Sequence, residues 1–581
     1  MPRTKTIMKT TARHAVLVAV LVVVNMSQQS QRHLLIALLC LAWIVPGLIG
    51  HDPWKSDEAT TFGVVYEILR GGSWITSSLA GEPFVDEPPL YYLTAAATAW
   101  LTSAFLPLHD GARLATGLFM ALTFLCCGLA SRELNGRGKG AIAALLMLGC
   151  FGLVVRSHQI VTDIAPLAGF ALGYYAFALA QSQNERALRA GLLLGGALSM
   201  VFLSQGTVET FILCLIAGVL PLVSAAWRTR GYARTVGYAA LVAVPAIAAW
   251  PLALHLQSPM VFDVWVRHDL HTLLTGEGRD VSYYLRVLPW YAWPVWLVCV
   301  WTLWIARRQP RQHPDSRPDA QRYSHPYAAP AIALPLTGLA VSVAMLSFAS
   351  GARDLYALPL LPALALLAVP GISTLRRGAA NAWLWFSVMA ATFFVVVAWF
   401  YWAGLELGVP ARLHAHLHRI QPGHAPGFKA SAFVFAAGYT VLWFIFLARI
   451  KRVAERPVIA WAAGVTVIWG LLNILFLPWI DTGKSYRSTF VGLQQNLPAQ
   501  YRCVSSRNLG ESQRAMLHYV ANLTTHREES AARRADCDLL LTQGVAKEES
   551  LQPGWRKIWE GARPGDKVER YRLYQRTSSN Y

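Results

Sequence analysis

Charge is what this chain has least of. Only 14% of its 581 residues are Asp, Glu, Lys or Arg, against about a quarter in an ordinary soluble domain. That scarcity excludes a soluble globular protein of this length. Acids are the rarer sign, with 32 Asp and Glu facing 51 Lys and Arg for a formal charge of +19. The excess does not point to nucleic acid, because the basic residues cluster in short connections between apolar runs, as the positive-inside rule places them. Cysteines in polar sequence are almost missing as well. Six of the eight, Cys40, Cys126, Cys127, Cys150, Cys214 and Cys299, lie in apolar runs and read as small buried residues. Cys503 and Cys537 lie in polar sequence and can pair if that part occupies an oxidising compartment. No internal repeat is visible, which argues against a transporter of lipid-linked sugar built from two matching halves.

What is there is apolar. Hydrophobic residues make up 55% of the chain, and many runs approach or exceed the roughly 18 residues that cross a bilayer. The chain reads as a mainly α, polytopic membrane protein. Residues 1–32 form an N-terminal extension: a basic start, a short apolar run at 15–26 and a Ser/Gln-rich stretch without a clear cleavage site. Basic connections at 132–139, 184–189, 227–234, 307–322, 376–377 and 449–456 are expected in the cytoplasm. Connections 51–112, 156–163, 204–206, 255–285, 349–356 and 403–430 then face outward. Only one span fits between 51–112 and the basic connection at 132–139. Of the two apolar candidates, 91–107, with Tyr91, Tyr92 and Trp100, is expected to lie in the interface, leaving 113–131 to cross.

The other spans are expected near 33–50, 139–155, 164–181, 188–203, 207–225, 236–254, 286–306, 328–348, 357–373, 380–402, 431–448 and 458–478. That makes about thirteen within a membrane domain at 33–479, and an odd number puts residues 480–581 outside with the 51–112 loop. Those last residues are polar, with apolar runs at 537–541 and 571–574 and a helical stretch at 511–520, and read as a small α/β domain. The Pro/Arg/His-rich loop 307–327 reads as flexible.

Two acidic pairs stand out in the first outward loop. Asp57-Glu58 precedes a stretch in which Phe62, Val65, Tyr66 and Leu69 recur at helical spacing. A helix N-terminus favours carboxylates on structural grounds, and a carboxylate there can also serve as a general base. In Asp86-Glu87-Pro88-Pro89 two prolines fix a turn before the interfacial segment. The remaining outward connections add Arg156, His158 and Asp163, then Gln205 and Glu209, then Arg267, His268, Asp269 and His271, then Arg353, Asp354 and Tyr356. Ionisable residues this close to a membrane are costly and usually functional. An acid with His268 could hold a divalent metal; the His414-Ala415-His416-Leu417-His418 run reads as polar surface.

Trp54…Asp57-Glu58, the turn Gly71-Gly72-Ser73-Trp74 and Asp86-Glu87-Pro88-Pro89-Leu90 together resemble the GT-C membrane glycosyltransferases. The resemblance is closest to the group containing the undecaprenyl-phosphate aminoarabinose lipid A transferase and the protein O-mannosyltransferases. Ala112-Arg113-Leu114, Ile160-Val161-Thr162-Asp163, Trp265…His268 and Tyr356-Ala357-Leu358-Pro359 support it in order and spacing along nearly the whole chain. It implies a GT-C helical bundle with interfacial helices in the 51–112 loop and a periplasmic C-terminal domain. It also implies sugar transfer, with inversion, from a polyprenyl-phosphate donor to lipid A or another envelope glycan or lipid, by an inner-membrane monomer; protein O-mannosyl transfer is the alternative.

By position, the resemblance makes Asp57 the catalytic acid, with Glu58 beside it and Asp163 as the second acid of the cavity. Asp86 and His268 match metal-binding positions, and Tyr356 matches a contact to the lipid phosphate. Two cations of the aminoarabinose enzymes are replaced, the lysine of Glu-Lys-Pro by Glu87 and an arginine three residues after the catalytic acid by Thr60. Such losses remove charge-assisted hydrogen bonds to phosphate. Lys55, Arg267 and Arg353 are the cations at hand to replace them.

Overall fold

The computed structural model describes residues 28–181, 184–274, 280, 282–308, 325–349, 352–425, 427–530, 536–547 and 554–577. Most of the N-terminal extension and of the loop 307–327 lies outside them. Among the described residues, eight helices are long and apolar enough to cross a membrane, or up to ten if each of two bent pairs is one span. Three shorter apolar helices, Gln31–Ile44, Ile164–Ala180 and Thr207–Val223, complete the bundle. Ten of the segments expected to cross fall on these long helices and bent pairs, and 33–50, 164–181 and 207–225 fall on the three shorter helices.

The bends have local causes. Gly140–Leu148 and Phe151–His158 meet at 72°. A side chain at Gly149 would collide with Trp461, whose indole N–H donates to the Gly149 carbonyl at 2.9 Å and so satisfies a group that the break frees. Tyr283–Tyr291 and Val295–Arg308 meet at 104°, where Pro294 has no N–H to continue the first helix. Elsewhere small residues bring helices together: Gly191 and Gly195 lie against Tyr238 and Val242, with no room for even a Cβ.

The segment after the first acidic loop is the short helix Leu90–Thr102 of 13 residues. At about 1.5 Å per residue it is roughly 20 Å long, against a hydrocarbon layer of about 30 Å. It buries Tyr91, Tyr92, Ala95 and Ala99 and packs along Leu108–Asn135, the span that follows it.

The long helix Arg456–Lys484 leads through Arg487–Gln495 into a mixed sheet. Its strands are β3 (Val504–Arg507), β4 (His526–Arg527), β5 (Leu539–Val545), β6 (Trp555–Gly561) and β7 (Glu569–Arg576), in the order β4-β3-β5-β7-β6; β1 (Ser78–Leu79) and β2 (Glu82–Pro83) form a hairpin in the first loop. β3 runs parallel to β4 and β5, while β7 runs antiparallel to β5 and β6. Leu539 and Leu541 join Tyr571 and Leu573 in one core, the period of two that a strand imposes. Cys503 and Cys537 form a disulfide just before β3 and β5, with Cα atoms 4.7 Å apart.

The Glu511–Ala521 helix packs on Asp57–Leu69, where Gly63 leaves room for Ala515. Ion pairs reinforce the contact: Glu82 with Arg514 at 2.8 Å and Arg527 at 3.4 Å, and Lys55 with Glu569 at 2.7 Å. The first loop and the C-terminal sheet therefore sit at the same end of the bundle.

Candidate active site

Asp57 opens the Asp57–Leu69 helix, where free N–H groups and the helix dipole favour an anion. Its side chain is one quarter exposed, 25%, and Arg353 Nη2 donates to it at 2.6 Å. Arg156 lies on its other side at 3.7 Å and reaches on to Asp354 at 3.2 Å. Arg353 also stands over the Tyr356 ring, 5.8 Å from its centre. The acid is thus held at an exposed rim between two guanidinium groups.

Arg353 and Tyr356 belong to a cavity of about 180 Å³ that Asp86, Glu87, Gln205, Glu209, His268 and Asp269 also line. Tyr92 O–H donates to Glu87 at 2.5 Å. Burial, reinforced by Asp163 and Asp86 and opposed by the Tyr92 hydrogen bond and by Arg353, pushes the Glu87 carboxyl up to about 7. Gln205 Nε2 donates to Asp163 at 2.8 Å. Burial raises Asp163 to about 6, with Asp57 adding to the rise and Arg353 and Arg156 opposing it. Asp269 accepts from the backbone N–H and the hydroxyl of Thr207, so it caps the Thr207–Val223 helix. Gly206 permits this: its φ is +89°, and a Cβ there would lie 2.5 Å from Asp269.

Glu58 goes elsewhere. Its side chain is 1% exposed and accepts from Arg113 Nε at 2.8 Å, from the Ile160 N–H at 3.2 Å and from the Trp54 N–H at 3.1 Å. Burial alone would raise this acid, but Arg113 and His51 with these hydrogen bonds hold it below its ordinary value. Arg113 also grips Asp110 at 2.8 Å and the Leu48 and His51 carbonyls. Glu58 is a tie between loop, span and the 156–163 connection, and it does not reach the cavity.

Two of the candidate cations also lie outside it. Lys55 pairs with Glu569 in the sheet and lines a separate cleft with Asn508 and Asp566. Arg267 donates to the Asp263 carbonyl on its own helix. Asp57, Asp86, Glu87, Asp163, His268, Arg353 and Tyr356 come together at the cavity and its rim. Asp86 and His268 share the lining, yet among the described residues no three His, Cys, Asp or Glu side chains are grouped to hold a metal ion. The His414 run sits on the helix Ala411–Ile420, where His414 Nδ1 is 3.0 Å from the Gly404 carbonyl. Sequence reasoning misses what Arg113 does, although an arginine at the start of an apolar span is a signal in itself.

This chain matches no family model. It is 26% identical over 281 residues to an undecaprenyl phosphate-alpha-4-amino-4-deoxy-L-arabinose arabinosyl transferase of Pseudomonas aeruginosa, covering 46% of this chain and 49% of that one. It is 25% identical over 350 residues to the enzyme of that name from Pseudomonas paraeruginosa, 59% of each chain. The chain spans about half the length of the curated relatives it matches. In three dimensions the likeness extends over nearly the whole chain. The crystal structure of ArnT from Cupriavidus metallidurans bound to undecaprenyl phosphate superposes with a TM-score of 0.68 at 15% identity, over 95% of this chain and 99% of that one. The chain shares the fold of ArnT. The apo form of ArnT gives a TM-score of 0.67 at 16% identity, over 94% and 98% of the two chains. At such identity it is the course of the backbone that the ArnT likeness establishes, and the side chains above supply the chemistry.

Proposed function

We propose that this chain is an inner-membrane glycosyltransferase that moves a sugar from a polyprenyl-phosphate donor to an acceptor on the periplasmic face, lipid A or another envelope glycan or lipid. The observation that carries this reading is the Asp57–Arg353 contact at 2.6 Å on the rim of the Tyr356 cavity. It sets a carboxylate base beside a cation fit for phosphate. The names of the curated relatives support an undecaprenyl-phosphate donor, and so does the lipid in the ArnT complex. The protein works as a monomer, and its C-terminal domain, residues 480–581, lies in the periplasm over the first loop.

In the reaction Asp57 takes the proton of the acceptor hydroxyl as its oxygen attacks the anomeric carbon. The bond from that carbon to the phosphate oxygen breaks on the opposite face, which inverts the centre. The departing polyprenyl phosphate carries the negative charge, and Arg353 and Arg156 stabilise it. Donor phosphate and Asp57 compete for Arg353, so donor binding releases the base. Asp163 and Glu87 shape the sugar side of the cavity. Asp86 and His268 are the residues that would face a divalent cation; with no third ligand grouped beside them among the described residues, no step is assigned to one.

The test is Asp57→Asn in purified protein with a labelled polyprenyl-phosphate sugar. Turnover should fall by roughly 10²–10⁴-fold, the usual contribution of a positioned base, with the melting temperature unchanged. Near-normal turnover would sink the assignment, and label appearing in protein rather than lipid or glycan would redirect the acceptor.

A further inference from the structure

Among the described residues, a large cleft along the helix Gln28–Ile44 lies at the other end of the molecule. Its volume is about 1170 Å³, and it runs between Gln28–Ile44, Leu108–Asn135 and Gly140–Leu148. We propose that it binds one anionic diacyl phospholipid from the leaflet opposite the candidate active site.

Position comes first. Near the start of Leu108–Asn135, His109 Nδ1 lies 3.0 Å from the Tyr519 hydroxyl of the C-terminal domain. Arg132 is in the last turn of the same helix, roughly 35 Å farther along at 1.5 Å per residue. The groove therefore opens at the membrane face away from the sheet. Its depth fits a single lipid: from Arg32 to Ile44 the helix rises about 18 Å, close to half of a hydrocarbon layer of about 30 Å. A polyprenyl tail would far overrun that depth.

Chemistry comes second. The walls include Ile36, Leu41, Phe124 and Leu125, and Arg32, Arg132 and Arg137 stand among the lining residues with no acid. Among the described residues none of these three arginines forms an ion pair, whereas Lys139 in the same connection is matched by Glu455 at 3.3 Å. Three guanidinium groups beside an apolar wall suit a phosphate on a lipid, and a soluble phosphate would leave the wall without a partner. The groove is built in: Gly128 and Gly140 bring two helices into backbone contact at its floor, while Ala37, Ala121 and Ala144 leave the space above open.

The test is native mass spectrometry of the full chain in neutral detergent, offered phosphatidylglycerol, phosphatidylcholine, polyprenyl phosphate or glycerol phosphate. One phosphatidylglycerol should be retained at least about tenfold better than phosphatidylcholine, as expected for charge-assisted contacts. Combining Arg132→Gln with Arg137→Gln should lower that retention about tenfold, and Ala121→Trp should block both lipids. Sugar-transfer turnover should be unchanged in both variants, so this result and the catalytic assignment fail separately. Equal retention of the two phospholipids would overturn the proposal. So would indifference to the arginine changes, which is decisive even if Ala121→Trp does not fold. Displacement by glycerol phosphate or polyprenyl phosphate at equal concentration would overturn it as well.

Discussion

Two groups of acids lie within a short reach of each other and meet opposite fates. In the knot beneath the first loop, Glu58 and Asp110 each touch Arg113, and Glu58 is held below its ordinary value despite complete burial. In the cavity, Asp86, Glu87, Glu209 and Asp269 share the lining with one arginine, Arg353. There burial prevails, and Glu87 rises to about 7 while nearby Asp163 rises to about 6. The difference is the position of the counter-charge. A carboxylate matched by a buried guanidinium is part of the frame; acids left under-neutralised in a cleft are poised to meet a ligand.

The largest break in that contrast is Arg113→Ala. It leaves Glu58 and Asp110 buried without their partner and should cost about 3–5 kcal/mol of stability; loss of the thermal unfolding transition in detergent is the readout. The cavity should show itself through pH. Glu87 and Asp163 hold protons in the folded state at pH values where the unfolded chain has released them. Stability should therefore fall as pH rises from about 4 to about 7 and level off above. Each acid contributes at most about 3 kcal/mol, less for Glu87, which solvent partly reaches. Glu87→Gln should remove its part of that slope, and a slope unchanged in thermal shifts across this window would erase the distinction. Lys55→Ala marks the small end. Lys55 is 43% exposed in its pair with Glu569, so the melting transition should move by less than about 1 kcal/mol.

Much of this architecture is legible in the sequence because apolar length is a direct physical signal. The parity of the basic connections singles out 91–107, and a short helix, Leu90–Thr102, lies there packed along Leu108–Asn135. The runs at 537–541 and 571–574 fall on β5 and β7, which pair antiparallel, and the stretch at 511–520 falls on the Glu511–Ala521 helix. The division of labour between Asp57 and Glu58 is not legible. Neighbouring side chains on a helix point about 100° apart, and which of them meets Arg113, 55 positions away from Glu58, depends on tertiary packing. The same holds for Lys55, available on paper for phosphate and engaged with Glu569 instead. The bent spans escape the sequence too, since Gly149 announces no bend until Trp461 packs against it.

The clasp between Lys55 and Glu569 joins residues 514 positions apart. A ribosome adding roughly 5–20 residues per second needs between about half a minute and two minutes to make that stretch. Through that interval the acidic loop has left the ribosome while the strand that will hold it does not yet exist. A chain that stops before Glu569 would carry Lys55 without its partner, so the making of β7 governs when the first loop is finished.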